Sequence, residues 1–448
     1  MPHRFRAAAT TLGVNRMLSA YPNTAGNARI IVTAPGDGRA LGTVPTHDAE
    51  HVRAAVAALR DAQTSWRAMG VVRRVHWLTR FREWLSGNEE MLVESLAAET
   101  GKSVAAALRE LRLGIDVIDY HRTHGADFLG APWQRTHGNP SVALQLAITY
   151  RPCAVVGVLS PWTYPLASTL LDAVPALMAG SAVLVKPSTV TPLTVRAVVE
   201  GWAGLGAPPV LEFAAGPDAG PAVVDTVDYV HFTGSPETGK VVALRAAARL
   251  VPCRLGLGGK SSAIVLADAD LGAAAAGIAL GGLADAGQSC HSIERVFVAA
   301  PVYDEFVDRL VTEVVAFGAA DPDDPRVEPM TSAAHVRHLR HQVHDALSKG
   351  ATLHLGGTAD GQVFAPTVLG GADPAMIVLT QQTLGPILPV VRIADAAAAS
   401  TLANDPCGPC ASIWTADDAA GRYVAGRLLA ARVGRNDVSI HLAPPGYV

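Results

Sequence analysis

The residues of this chain best suited to do chemistry are a cysteine, a lysine and the turns that follow two apolar runs. Cys290 closes the segment "AGQSC" (286–290), and its thiolate would be a nucleophile toward an electrophilic carbon. Read alone, a lone cysteine is also among the residue types most often buried as a small apolar group. "LVKPSTVTP" (184–192) sets Lys186 and Ser188 at the end of an apolar run, where an ammonium and a hydroxyl suit a ribose or a phosphate. A solvated lysine before a turn is the plainer alternative. "HFTGSPETGK" (231–240) ends a strand pattern at Thr233, Gly234 and Ser235 and opens a helix near Pro236, a residue suited to a first helical turn. A helix amino end offers unpaired N–H groups and a positive dipole end to a pyrophosphate, and Gly234 lets that anion come close; alone, such a turn is more often a tight connection. "DPCGPC" (405–410) spaces Cys407 and Cys410 as a redox dithiol would, but the pair leads into the apolar run "ASIWT" rather than opening a helix, so the spacing reads as coincidence.

These residues need elements to hold them. From about residue 48 to 125 apolar residues recur at three and four spacing, which predicts packing helices, with Gly101 as a stop. Beyond residue 150 short apolar strands alternate with helices, the pattern of a parallel, doubly wound sheet. Ligands of such sheets sit beyond the carboxyl ends of the strands, and those ends carry Ser160 to Thr163, Lys186 to Ser188 and Thr233 to Ser235. A second alternating unit starts after residue 262, runs through Cys290 and continues to about residue 430, with a turn-forming "AADPDDPRVEP" at 319–329. The predicted fold class is α/β, a doubly wound parallel-sheet cofactor domain followed by an α/β catalytic domain.

Composition excludes other classes. A 448-residue chain with 17% charged residues and a formal net charge of -4 has no basic footprint for nucleic acid. Five cysteines are too few and odd in number for a disulfide framework, which points to a reducing, cytoplasmic setting. The most apolar stretch, 153–185, contains Pro161, Pro165, Asp172 and Pro175 and so does not read as a membrane span. Residues 1–36, with arginines and no acid before Asp37, read as a loose N-terminal tail.

Taken together the motifs resemble the aldehyde dehydrogenase superfamily, in order and over nearly the whole chain. The similar blocks are "ETGKS" (99–103), "GVLSPWTYPL" (157–166), "VLVKPS" (183–188), "HFTGSPETGK" (231–240), "LGLGGKSSAIV" (255–265), "AGQSC" (286–290), "FAPTVL" (364–369), "LGPILPV" (384–390) and "LANDPCGPCASIWT" (402–415). "SIERVFV" and "GVLSPWTYP" look like the succinate-semialdehyde dehydrogenase branch. The resemblance implies that Cys290 attacks an aldehyde carbon, that a backbone N–H and Thr163 hold the oxyanion, that hydride passes to a nicotinamide, and that water hydrolyses the thioester. It assigns Ser160, Pro161, Trp162, Thr189, Gly216, Gly220, Phe232, Thr233, Gly234, Ser235, Gly239, Leu257, Gly258, Gln382 and Leu384 to the cofactor site, with Lys186 and Ser188 on the adenosine side. It divides the chain into a cofactor domain (1–124 and 148–256), a catalytic domain (257–430) and the remnant of an oligomerisation region (125–147 and 431–448).

The departures are as informative. Gly256 stands where the family has the glutamate that activates water, and Thr163 stands where it has an asparagine. Gln382 replaces a glutamate that binds the nicotinamide ribose, and Leu384 replaces the phenylalanine beside it. Thr189 replaces the glutamate after "KPS", and loss of that carboxylate removes repulsion toward a 2'-phosphate, so the cofactor is NAD or NADP with a lean to NADP. The family's last glycine-rich loop and C-terminal strand have no counterpart after "HLAPPGYV", which predicts a homodimer with altered contacts. Three readings follow: an NAD(P)-dependent dehydrogenase of a small aldehyde or semialdehyde, which is the expectation; a variant that passes the acyl group to a thiol; and a degenerate member that only binds nucleotide or a partner. His291 is a poor substitute base, because adjacent side chains on a strand diverge.

Overall fold

A computed structural model describes residues 28–130, 134–136, 145–147, 150–318 and 327–442. The chain before residue 28, residues 131–133 and 137–144 of the 125–147 stretch assigned to oligomerisation, most of the 319–329 turn and residues 443–448 lie outside the described residues.

The stretch read as a loose tail is structured where it is described. Strand β1 (Arg29–Thr33) pairs antiparallel with β2 (Ala40–Pro45). "RIIVT" buries Val32 against Val44 and Leu193, and this short-range alternation decides the conformation, not the arginine content. Helix α1 (Ala49–Ala68) starts where the Asp48 carboxylate accepts the N–H of His51 at 2.8 Å. It is followed by α2 (Gly70–Gly87), α3 (Glu89–Thr100) and α4 (Val104–Gly130). Gly101 ends α3 in the left-handed region at φ 82, the stop its position predicts. A short hairpin, β3 (Gln134–Thr136) and β4 (Gln145–Ala147), follows.

The first large sheet holds β5 (Val155–Leu159), β6 (Ala182–Lys186), β7 (Leu211–Phe213), β8 (Tyr229–Gly234) and β9 (Cys253–Leu257) in the order β7-β6-β5-β8-β9, all parallel. Helices α5 (Pro165–Ala179), α6 (Leu193–Gly204), α7 (Ala219–Thr226) and α8 (Pro236–Ala247) make the crossovers. Every residue of β5 is buried, as a strand covered on both faces requires. Trp66 of α1 is fully buried, donates to Leu177 O at 3.0 Å and meets Trp202 edge-on at 5.9 Å; such a ring pair contributes about 0.5–1.5 kcal/mol beyond its area. Two buried carboxylates tie the helical layer to the sheet. Glu99 accepts the N–H groups of Leu193 and Thr194 at the start of α6, and Glu110, paired with Lys102 at 2.6 Å, accepts those of Leu166 and Ala167 at the start of α5. Glu99 of the "ETGKS" block thus caps the helix that leaves β6, and Lys102 of the same block holds the Glu110 that caps the helix leaving β5.

The second sheet takes β10 (Ser262–Val265), then α9 (Leu271–Leu283), β11 (Arg295–Ala299), α10 (Tyr303–Gly318), α11 (Ala333–Ser348), β12 (Thr352–Leu355), the hairpin β13 (Ala359–Asp360) and β14 (Val363–Phe364), β15 (Thr367–Gly370), α12 (Ile377–Thr380), β16 (Ile387–Ile393), α13 (Ala396–Asn404), β17 (Cys410–Trp414), α14 (Asp418–Ala425), β18 (Arg432–Arg435) and α15 (Ser439–Leu442). Its order is β12-β15-β16-β11-β10-β17-β18, with only β12 antiparallel. The first sheet ends with β9 at Leu257, and the second begins with β10 at Ser262. Arg432–Arg435, grouped in the sequence with the oligomerisation region, pairs with β17 as the edge strand of this sheet.

Candidate active site

Cys290 lies in a turn between α9 and β11. Helix α9 gives way to three consecutive left-handed residues, Asp285, Ala286 and Gly287, at φ 53, 53 and 70. A Cβ on Gly287 would come within 2.4 Å of Gly385 O, so only glycine fits. The conformation costs roughly 1–3 kcal/mol at each non-glycine position and is held by specific bonds. The Tyr164 hydroxyl donates to Asp285, Arg109 pairs with the same carboxylate at 3.3 Å, and Gln288 Oε1 accepts from the N–H and hydroxyl of Thr331 at 2.9 and 3.0 Å.

A cavity of about 270 Å³ brings Cys290 together with Phe232, Thr233 and Leu257 from the ends of β8 and β9, and with Gly256. Burial, with a further contribution from Cys410, pushes the Cys290 thiol up to about 12, so the resting group is a neutral thiol. Alkylation of Cys290 by iodoacetamide in the cofactor-free protein should therefore keep rising with pH beyond 9, about tenfold per unit, because only the thiolate reacts. Mass spectrometry of the Cys290 peptide checks this; a plateau near pH 8 would contradict it. β8 and β9 pair Thr233 with Gly256, and a Cβ on Gly256 would lie 2.9 Å from Thr233 Oγ1.

The other positions singled out in the sequence fall mostly along the strand ends. Ser160 N–H donates to Lys186 O at 3.2 Å, and Ser160 Oγ accepts from Thr169 at 2.8 Å. Pro161 leads into Trp162, which packs edge-on to His335 at 5.4 Å. Thr163 is buried and is not among the residues lining the cavity of Cys290. Ser188 Oγ accepts Val190 N–H, and Thr189 is exposed. Ser235 caps α8 by accepting Thr238 N–H at 3.3 Å, while Gly234 O accepts Gly258 N–H at 3.2 Å. A Cβ on Gly239 would lie 2.4 Å from Leu257, and one on Gly234 2.6 Å from Phe232. Gly220 faces Lys186, whereas Gly216, at φ 114, lies apart against Thr46. Lys186 is largely buried, which lowers its pKa, and among the described residues its ammonium has no hydrogen-bonding or ionic partner. A desolvated cation without a counter-charge among the described residues, at the end of a strand of the same sheet as β8 and facing Gly220, fits an anionic dinucleotide.

The segment carrying Gln382 and Leu384 is fixed by residues the sequence reading did not single out. Glu294 accepts the N–H groups of Thr383 and Leu384 at 2.8 and 3.0 Å and pairs with Lys260 at 2.6 Å. His335 and His338, one turn apart on α11, bond to Leu384 O at 2.8 Å and Gln382 O at 3.0 Å. Leu384 is left-handed, at φ 48. Gln382 lies across Gly258, where a Cβ would meet its amide at 2.3 Å. The segment from the second sheet thereby reaches the end of β9.

Comparison with known proteins decides the family. The sequence pattern described as "Aldehyde dehydrogenase family" matches residues 22–445. The chain belongs to the aldehyde dehydrogenase family. It is 34% identical over 423 residues to the Mycobacterium tuberculosis protein named "Putative succinate-semialdehyde dehydrogenase [NADP(+)] 2", covering 92% of this chain and 81% of that one. Among solved structures, an NADP-dependent glyceraldehyde-3-phosphate dehydrogenase from Bacillus halodurans, complexed with NADP, is similar at TM-score 0.86 and 31% identity, covering 92% of this chain and 88% of the other. A succinate-semialdehyde dehydrogenase from Burkholderia pseudomallei is similar at TM-score 0.87 and 30% identity, covering 94% and 87%.

In this aldehyde dehydrogenase, an enzyme of the class that oxidises aldehydes to acids with NAD or NADP, Lys186 is largely buried with no hydrogen-bonding or ionic partner among the described residues, and Thr189 is exposed. Lys186→Met should raise KM for NADP by about tenfold or more, since a charge-assisted bond is typically worth about 1.5–3 kcal/mol, and should raise KM for NAD less. Equal changes for both cofactors would count against Lys186 near a 2'-phosphate. No helix of the described residues is long and apolar enough to cross a membrane.

Proposed function

We propose that this aldehyde dehydrogenase oxidises a short semialdehyde, preferably with NADP, and that Cys290 is the nucleophile. The observation that carries the reading is the single cavity in which Cys290 faces Phe232, Thr233 and Leu257 at the carboxyl ends of β8 and β9, where doubly wound sheets bind nucleotides. NADP, when bound, supplies the hydride acceptor. Lys186 and the amino end of α8 at Ser235 hold its anionic groups, and the braced segment at Gln382 and Leu384 orients the nicotinamide end. The Cys290 thiol gives its proton to water as Sγ adds to the carbonyl carbon. The thioester then yields to water.

The substrate class is supported by the names of two relatives. The test is rapid mixing with NADP and succinic semialdehyde, followed by absorbance. An exponential release of about one equivalent of NADPH per subunit, then a slower linear phase, is expected. No NADPH from any of a panel of aldehydes, by protein that binds NADP, would overturn the proposal.

A further inference from the structure

Position 256 has no side chain, yet the wall of the cavity beside it is not inert. Two strands of known register form that wall. β8 and β9 pair Thr233 with Gly256 and His231 with Arg254, and side chains two apart on a strand share a face. His231 is therefore the diagonal neighbour of Gly256 on the face that Thr233 presents. A side chain at 256 and the imidazole of His231 project into the same space, and both residues line the cavity that contains Cys290. Helix α5 contributes Asp172 to that cavity, and its Oδ1 lies 3.2 Å from His231 Nδ1. Both side chains are mostly buried, 15% and 16% exposed. A carboxylate on Nδ1 fixes the tautomer and turns Nε2 outward as an acceptor, the arrangement of a general base with its positioning group.

Resting on the role of Cys290 given above, we infer that His231, held by Asp172, is the general base that activates the hydrolytic water in place of the side chain absent at Gly256. A water O–H proton passes to His231 Nε2 as the water oxygen bonds to the thioester carbonyl carbon. The carbon–sulfur bond breaks with its electron pair on Cys290 Sγ, and the carboxylic acid leaves. The imidazolium, steadied by Asp172, returns its proton to the thiolate, which restores the neutral thiol that burial favours. No oxidant or reductant enters this half of the cycle. The other ionisable groups facing the cavity are Arg254, Arg432 and His291, and Tyr229 lies 5.0 Å from the His231 ring. Asp172 is the carboxylate in that lining, and it pairs with His231.

The test separates acylation from hydrolysis without cofactor. p-Nitrophenyl acetate acylates a reactive thiol directly and releases nitrophenolate as it does so. The full-length protein should give a burst of about one equivalent per subunit, dependent on Cys290, then steady hydrolysis. His231→Ala should keep the burst amplitude and slow the steady phase by about 100-fold, the lower end of what general-base catalysis contributes. Free imidazole added to His231→Ala should restore part of that rate, and Asp172→Asn should show a smaller loss. Steady hydrolysis by His231→Ala at the parent rate would overturn the inference. So would a slow variant with correct NADP binding that imidazole does not rescue, because a histidine needed only for packing is not replaced by a diffusing base. Loss of the burst in the parent would instead remove the role of Cys290, and with it both readings.

Discussion

Cys290→Ala should abolish NADPH formation from every aldehyde, by roughly 10,000-fold or more if removal of this nucleophile follows the precedent of nucleophile deletions in other covalent enzymes. Alanine deletes the atom that bonds the substrate carbon and leaves the packing of a half-buried residue nearly unchanged. NADP binding, measured by fluorescence titration, should stay within about twofold of the parent, since the groups proposed to hold the anionic end, Lys186 and the cap of α8, belong to the other sheet. Cys290→Ser should retain the shape but stay nearly inactive, because an alcohol is a far weaker nucleophile than a thiolate. Substantial turnover by Cys290→Ala would assign the chemistry to another group and end the thioester reading.

The second large effect concerns stability. Lys260 and Glu294 have side chains only 1% and 2% exposed, and the ammonium also donates to the Thr383 hydroxyl at 2.7 Å. Lys260→Met removes one charge and leaves a carboxylate buried without its counter-ion, a change that typically destabilises by about 3–5 kcal/mol. Urea unfolding should show it as a lowered midpoint at similar slope. Glu294 also holds the amides of Thr383 and Leu384, so KM for the cofactor should rise in the same variant. Adding Glu294→Gln should recover part of the stability, because a neutral amide needs no counter-charge but still accepts a hydrogen bond. A single variant as stable as the parent would mean that water reaches the pair.

The sequence made some of this legible and not the rest, for reasons that differ by residue. Strand ends and glycine turns are local, so the positions of Lys186, Gly234 and Ser235 followed from apolar runs of a few residues. The stop at Gly101 followed in the same way. Glu294 acts on backbone amides 89 and 90 residues away, and His335 on a carbonyl 49 residues away. No periodicity encodes such a reach, and "SIERVFV" drew notice only for its likeness to one branch. Asp172 registered in the sequence only as a charge that interrupts an apolar stretch, and His231 only as a letter in "HFTGS". Their meeting depends on α5 folding back over β5 and β6, which brings Asp172 to His231 only once the sheet is formed. β1 was missed because five residues of mixed polarity carry little signal.

The 2.9 Å separation between Thr233 Oγ1 and the place a Cβ would take on Gly256 also bears on redesign. A carboxylate introduced by Gly256→Glu would have to move the Thr233 hydroxyl, and a β-branched side chain has few rotamers to retreat to, so the pair, not position 256 alone, is the unit to be engineered.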